Sequence, residues 1–289
     1  MSKQVLVITG AGGIGQAIAR RQGAGKSVLL ADFAEQTLQA SANALQGAGL
    51  DVTTQLVDVS SRESVSELAA AAEALGSVAQ VAHTAGQSPT MASPEAILTV
   101  DLLGTALVLE EMGNVIADGG AGVVISSMAG HRLRALAPEQ DDALRNAPAD
   151  ELLQLPFLTA EAVPNSTAAY EISKRANNLR VESASLQWGD RGARVNSISP
   201  GIIVTPLAQQ ELDSERGPTL RGMIEASPAG RVGTADEVAA VAAFLLGGEA
   251  GFITGSDLLM DGGTVAALHG GRWEASRFAG ATSAMGREQ

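Results

Sequence analysis

Short apolar runs recur along the first half of the chain, each broken by a glycine or an acidic residue and followed by a stretch with helical spacing. Gln4–Thr9 is largely Val, Leu and Ile, as in a strand buried on both faces, and it ends at a glycine. Further strands are read at Ser27–Ala31, Val52–Val57 and Val78–Ala82, with helices from the glycine turn to about Ala24, over Glu35–Ala48 and over Arg62–Leu75. Ser93-Pro94 opens a longer helix, with Pro94 in its first turn, that carries Asp101, Gly104 and Thr105 and extends to Ala117. A fifth strand follows at Gly122–Ser126, then a helix over Thr167–Trp188 and a sixth strand at Gly192–Ile198. An alanine-rich helix at Asp236–Leu246 and a last strand at Ser256–Met260 complete the pattern. Alternation of strand and helix at roughly 25-residue spacing predicts an α/β fold with a doubly wound parallel sheet. Ligands of such sheets lie beyond the carboxyl ends of the strands.

Composition narrows the picture. The 289 residues are 45% hydrophobic but only 3% aromatic, so the core is built from Ala, Val, Leu and Ile. Without cysteine there is no disulfide framework, thiolate nucleophile or Cys-ligated metal. A formal charge of −13 with no basic stripe argues against nucleic acid as a partner. No run reaches the about eighteen apolar residues of a membrane span, and the N-terminus lacks a signal-peptide pattern. The expectation is a soluble, cytoplasmic protein acting on a small molecule.

The candidate chemistry sits at strand ends. Gly10-Ala11-Gly12-Gly13-Ile14-Gly15 places Gly10, Gly12 and Gly15 in the G-x-G-x-x-G pattern, with a strand before and a helix after, where the backbone can approach a pyrophosphate at the helix N-terminus. Asp32 closes the second strand, where a carboxylate accepts hydrogen bonds from ribose hydroxyls and repels a 2′-phosphate. Phe33-Ala34-Glu35 follows instead of an arginine, which favours NAD over NADP; the same Asp32 could alternatively cap the next helix. Asp58, at the end of the third strand, is placed to meet an adenine ring. Ser127 stands beside the crevice, where its hydroxyl could donate to a carbonyl oxygen or simply cap a turn. Tyr170 and Lys174, four apart on a helix, can face one point; the ammonium would draw the phenol from about 10 towards working pH, as a general acid/base needs.

Together with Asn196-Ser-Ile-Ser-Pro200-Gly201, Gly230-Arg-Val-Gly233, Asp236-Glu-Val-Ala239 and Phe252-Ile-Thr-Gly255 to Gly263, these motifs make the chain closely resemble the short-chain dehydrogenase/reductase family from about Val5 to Gly263. The resemblance implies a Rossmann-type sheet of about seven strands in the order 3-2-1-4-5-6-7, helices on both faces and a homo-oligomer, dimer or tetramer. It implies that Tyr170 is the acid/base, that Lys174 lowers its pKa and holds the nicotinamide ribose, and that Ser127 polarises the substrate oxygen. Pro200, Gly201, Ile203 and Thr205 then line the nicotinamide end, and Asp58 and Val59 touch adenine. Asp32 and Phe33, Gly13 and Ile14, and Thr84, Ala85 and Gly86 complete the cofactor set. No metal site is read, the histidines being far apart, and His131 is taken as a loop residue.

Four departures from the family stand out. The glycine turn is one residue short. Its Asn-Asn-Ala-Gly is here His83-Thr84-Ala85-Gly86. Its helix asparagine, which holds a relay water, falls on Asp101, which is expected to keep that role. Finally, Ser127 and Tyr170 are separated by an insertion over 132–165, read as two short proline-started helices that act as a lid or alter assembly. The chain is otherwise one domain over 1–263, with a substrate loop at 206–228 and a tail at 264–289 in which little predicts order. Leucines in both variable segments suggest a moderately apolar pocket. The expected function is NAD(H)-dependent interconversion of a secondary alcohol and a ketone. A non-catalytic NAD-sensing protein and a redox-neutral epimerase or dehydratase are the alternatives.

Overall fold

The computed structural model describes residues 3–133, 136–159, 161–205, 212–214 and 216–273. Strands β1 (Gln4–Thr9), β2 (Ser27–Asp32), β3 (Asp51–Leu56), β4 (Ser77–His83), β5 (Ile116–Ile125) and β6 (Arg194–Pro200) form one parallel sheet. Residues Ile203–Val204 (β7) and Gly233–Thr234 (β8) make a separate short pair, and Asp257–Met260 (β9) is the seventh strand of the main sheet. The order is β3-β2-β1-β4-β5-β6-β9, the doubly wound arrangement expected from the sequence. It reverses between β1 and β4, and a crevice opens there beyond the strand ends.

Helices α1 (Gly13–Gln22), α2 (Glu35–Gly47) and α3 (Arg62–Leu75) connect the first strands. The next helix starts as foreseen at Pro94, where Ser93 Oγ accepts from Ala96 N–H, but it is not uniform. After α4 (Pro94–Ile97) the chain widens into a π-helical stretch, Leu98–Gly104, before α5 (Thr105–Val115) resumes. It ends at Val115, not Ala117, because β5 already begins at Ile116. Then come α6 (Ala129–Arg132), α7 (Pro138–Asn146), α8 (Ser166–Asp190), α9 (Gly217–Ala226), α10 (Ala235–Leu246) and α11 (Thr264–His269).

Two apolar cores cover the two faces of the sheet. On one face Leu68, Leu102, Leu107, Met112 and Leu179 pack together with Trp188, which is buried because Gly122 leaves room for its ring. On the other, α1, α2 and α10 bury Ile18, Leu45, Val238 and Leu245. With so few aromatics, branched aliphatics and alanine fill most of this space.

The insertion is part of the first core. Leu144, Ala149, Leu152, Leu158 and Val163 are buried, and α7 lies along α8. The second expected helix is realised as 3₁₀ turns, Ala149–Gln154 and Pro156–Leu158. Charged pairs tie the segment down: Arg175 meets Asp141 at 2.6 Å, Arg62 meets Asp150 at 3.1 Å, and Arg180 donates to the Ala147 carbonyl while pairing with Glu110 at 3.1 Å. Of the described insertion residues Arg132 reaches the catalytic cavity, while the buried ones form a side wall of the helix layer.

The first ten residues of the expected tail are ordered. Helix α11 packs Val265 against Leu220, Met223 and Met128, and Trp273 is buried in the same cluster. Much of the expected substrate loop, residues 206–211 and 215, lies outside the described residues, as does the tail from residue 274. Among the described residues no helix is long and apolar enough to cross a membrane, and no cluster could hold a metal ion.

Candidate active site

The glycine turn shows why two of its glycines have no substitute. Gly10 has φ +96°, and a Cβ there would lie 2.6 Å from Ala85 N and from Thr84 Oγ1. A Cβ on Gly15 would stand 2.0 Å from the Gly10 carbonyl oxygen. At Gly12 a Cβ would meet no protein atom within 4 Å, and at Gly13 only Thr205, so these two backbones face open space at the start of α1. Thr84 replaces the family's amide with a hydroxyl 2.8 Å from the Gly10 oxygen and 3.0 Å from the Thr9 oxygen, joining β4 to the turn.

A crevice of about 700 Å³ runs over this turn. Of the residues expected to hold the cofactor, Gly10, Gly12, Gly13, Ile14, Gly15, Asp32, Phe33, Asp58, Val59, Thr84, Ala85, Gly86 and Thr205 line it. Asp32 does not cap α2; its carboxylate accepts from Ala11 N–H at 2.6 Å and Ala34 N–H at 2.8 Å, and so is held at the crevice wall. Asp58 accepts from the Ser60 N–H and hydroxyl, which fixes the turn after β3, and Ser61 caps α3. Among the described residues no lysine or arginine lines the crevice.

A second cavity of about 220 Å³ adjoins the first through shared walls at Ile14, Thr84, Ala85, Gly86 and Thr205. Ser127, Tyr170, Lys174 and Asp101 all line it, with Pro200, Gly201 and Ile203. Ser127 stands just past β5, where its Oγ accepts from Ala129 N–H at 3.1 Å. Tyr170 and Lys174 share one face of α8, and Lys174 Nζ is 5.3 Å from the Tyr170 ring centre. The expected convergence of strand end and helix therefore occurs. The cavity is less apolar than the leucines of the variable segments suggested, since Arg132, Glu171 and Arg216 also face it.

Behind the pair, Asp101 makes a direct ion pair with Lys174 at 3.1 Å, both side chains buried, where the sequence reading had placed a relay water. The other Asp101 oxygen accepts from Gln87 N–H at 2.6 Å. Burial pushes Asp101 above the ordinary carboxylate range, against the pull of the Lys174 ammonium and the Gln87 N–H. Burial works against the Lys174 charge as well, but Asp101 and then Tyr170 more than offset it and hold the ammonium above its ordinary pKa.

His83, in the sequence only a departure from the family's motif, has a role that the fold reveals. It lies fully buried at the end of β4, with Nδ1 2.6 Å from Thr9 Oγ1 and Nε2 3.1 Å from Thr105 Oγ1, and Thr105 donates to the Asp101 carbonyl at 2.8 Å. Burial, helped by the Lys174 charge, pushes His83 down to about 3, so it is neutral. This chain of contacts ties the glycine turn to the π-helical stretch that presents Asp101. His131, expected to be a loop residue, stands on α6 and contacts Asp257 at 2.7 Å.

A dinucleotide-type crevice joined to a Ser/Tyr/Lys cavity defines an oxidoreductase class, and the comparisons agree. Residues 3–138 match the family model described as short chain dehydrogenase, and residues 135–265 match the one described as enoyl-(acyl carrier protein) reductase. The chain belongs to the short-chain dehydrogenase/reductase family, whose members use nicotinamide cofactors. It is 46% identical over 270 residues to the short-chain dehydrogenase/reductase bsc3 of Alternaria brassicicola, covering 93% of this chain and 98% of that one. It is 27% identical to the levodione reductase of Leifsonia aquatica, with 91% and 95% covered. A crystal structure of levodione reductase superposes with a TM-score of 0.72 at 26% identity, covering 91% of this chain and 98% of that one. An actinorhodin polyketide ketoreductase solved with NADPH shares the fold, with a TM-score of 0.71 at 23% identity and 91% and 97% covered.

Proposed function

We propose that the protein is an NAD(H)-dependent oxidoreductase that interconverts a secondary alcohol and a ketone on a small molecule, with Tyr170 as general acid/base. The observation that carries this reading is the shared wall between the cavity holding Ser127, Tyr170 and Lys174 and the crevice over the glycine turn. A nicotinamide bound in that crevice would supply or accept the hydride. The chain's own residues do the rest. The Tyr170 phenol gives a proton to the carbonyl oxygen in reduction and takes it back in oxidation. The Ser127 hydroxyl donates to the same oxygen and fixes its position. Lys174, kept charged by Asp101, steadies the phenolate. Orientation in a walled cavity and preset charge supply the rate enhancement.

Preference for NAD rests on the crevice wall: Asp32 and Asp58 contribute carboxylates and no described side chain contributes a cation, which is unfavourable for a 2′-phosphate. The fold shared with an NADPH-bound ketoreductase makes this worth testing directly. A panel of secondary alcohols and ketones followed at the NADH absorbance, in parallel with NADPH, is the experiment. Turnover with NADH that Tyr170→Phe lowers by at least about a hundredfold supports the reading, since positioned proton transfer contributes on the order of 10²–10⁴. Near-full turnover in that variant overturns it.

A further inference from the structure

One ion pair in the cavity wall has no part in the proposed chemistry. Arg132, at the end of α6, meets Glu171 at 2.8 Å, and Glu171 directly follows the proposed acid/base Tyr170 on α8. Both side chains are largely withdrawn from water, 15% and 20% exposed, and both line the catalytic cavity. Around them the wall is apolar at Ile14, Pro89, Met128, Ile202 and Leu220. Neither side chain spends its full hydrogen-bonding capacity on the described residues. Here the guanidinium makes one further contact, from Nη1 to the sulfur of Met223 at 3.6 Å, and Glu171 Oε2 has no protein partner among the described residues. The wall thus offers unused N–H donors and a carboxylate oxygen side by side, with the two charges cancelling.

We infer that the Arg132–Glu171 pair is a specificity element that recognises a second, neutral oxygen on the substrate, a hydroxyl above all, so that the substrates are diols and hydroxyketones instead of plain alcohols and ketones. This rests on the alcohol/ketone reading above. A hydroxyl suits the pair because it both accepts from the guanidinium and donates to the carboxylate, whereas an anion would be repelled by Glu171. A substrate lacking that oxygen leaves the spare guanidinium N–H donors and the second carboxylate oxygen desolvated and unmet, the situation in which sites discriminate most strongly. Arg216 faces the same cavity and makes the rival case, an anion anchor.

The test compares oxidation of cyclohexanol, the cyclohexane-1,2-, 1,3- and 1,4-diols, and 4-hydroxycyclohexanecarboxylate. The double variant Arg132→Met/Glu171→Leu is measured beside the wild type, because removing both charges together leaves no orphaned ion to unfold the chain. The wild type is expected to favour its best diol over cyclohexanol by about tenfold or more in kcat/KM, and the double variant to lose that ratio to about twofold or less, chiefly through KM. Equal rates for diol and cyclohexanol in the wild type, an undiminished ratio in the double variant, or the carboxylate as best substrate would each overturn the inference alone. Failure of every compound to change NADH or NADPH would overturn the oxidoreductase reading with it.

Discussion

Replacing Asp101 by asparagine isolates what a carboxylate does behind the Tyr/Lys pair. The new side chain keeps its size and an oxygen for Gln87 N–H, and loses only the charge 3.1 Å from Lys174 Nζ. Laid end to end, that distance and the 5.3 Å from Nζ to the Tyr170 ring put the carboxylate no farther than about 8.4 Å from the ring centre, where two unit charges at an effective dielectric of about 20 interact by about 2 kcal/mol. Asp101 therefore repels a phenolate at Tyr170 while it steadies Lys174. In Asp101→Asn the repulsion is gone, and the rising limb of alcohol oxidation against pH should move to lower pH by about one unit or more, each unit being about 1.4 kcal/mol. The assay is kcat/KM for oxidation from about pH 6 to 10 in wild type and variant. Thermal unfolding should show a loss of about 3–5 kcal/mol, as when one partner of a buried pair is removed. A limb that stays in place means that Asp101 carries no charge in the working enzyme. A limb that moves to higher pH means that Lys174 has lost its proton without Asp101. Either refutes the reasoning.

Other outcomes follow from the same geometry. His83, held neutral with a pKa of about 3, takes up a proton in the unfolded chain below about pH 6.5 but not in the folded one, so stability should fall with acidity by about 1.4 kcal/mol per pH unit from this residue. Urea unfolding from pH 7 to 4 should show that slope in wild type and its loss in His83→Asn. Gly12→Ala should leave the melting temperature nearly unchanged yet weaken NADH binding, measured by fluorescence, whereas Gly15→Ala, whose Cβ would stand 2.0 Å from the Gly10 oxygen, should damage the fold itself. Asp32→Ala should shift the kcat/KM ratio from NADH towards NADPH; an unchanged ratio would remove the electrostatic case for NAD. Leu152→Ala should cost about 2–5 kcal/mol in urea unfolding with kcat little altered, as befits a core residue of the insertion.

Most of the fold could be read from the chain because the signals are local. A parallel strand buried on both faces has no polar alternation to confuse it, so β1 and β2 stand out as apolar runs, and the glycine turn announces both the strand before it and the helix after it. The site was legible where one motif fixes one strand or helix end, as for Asp32, Ser127 and the Tyr170/Lys174 spacing. What stayed hidden depends on partners far apart in the chain. His83 reads as a substituted motif residue until Thr9 and Thr105 close on its two nitrogens. Asp101 reads as a water holder until the helix that carries it brings the carboxylate against Lys174. Arg132 and Glu171, separated by the whole insertion, have no shared signature. The insertion's leucines signalled packing, but only the fold shows what they meet: the turn Ala149–Gln154 lies against the π-helical stretch, while α7 lies along α8.

The widened stretch at Leu98–Gly104 has a consequence for what this helix tolerates. Such a stretch holds an added residue within an otherwise α-helical run. Deleting a single residue there would let the whole run close into an ordinary α-helix, a local gain in hydrogen-bond geometry. The wide turn already absorbs the extra residue, so the segments on either side would keep roughly their places, and it is the wide turn itself that would be lost. The Asp101 carboxylate, which stands on that turn, would no longer be held between Gln87 and Lys174. What the extra residue provides in this helix is therefore the placement of one buried carboxylate against Lys174, and not extra length.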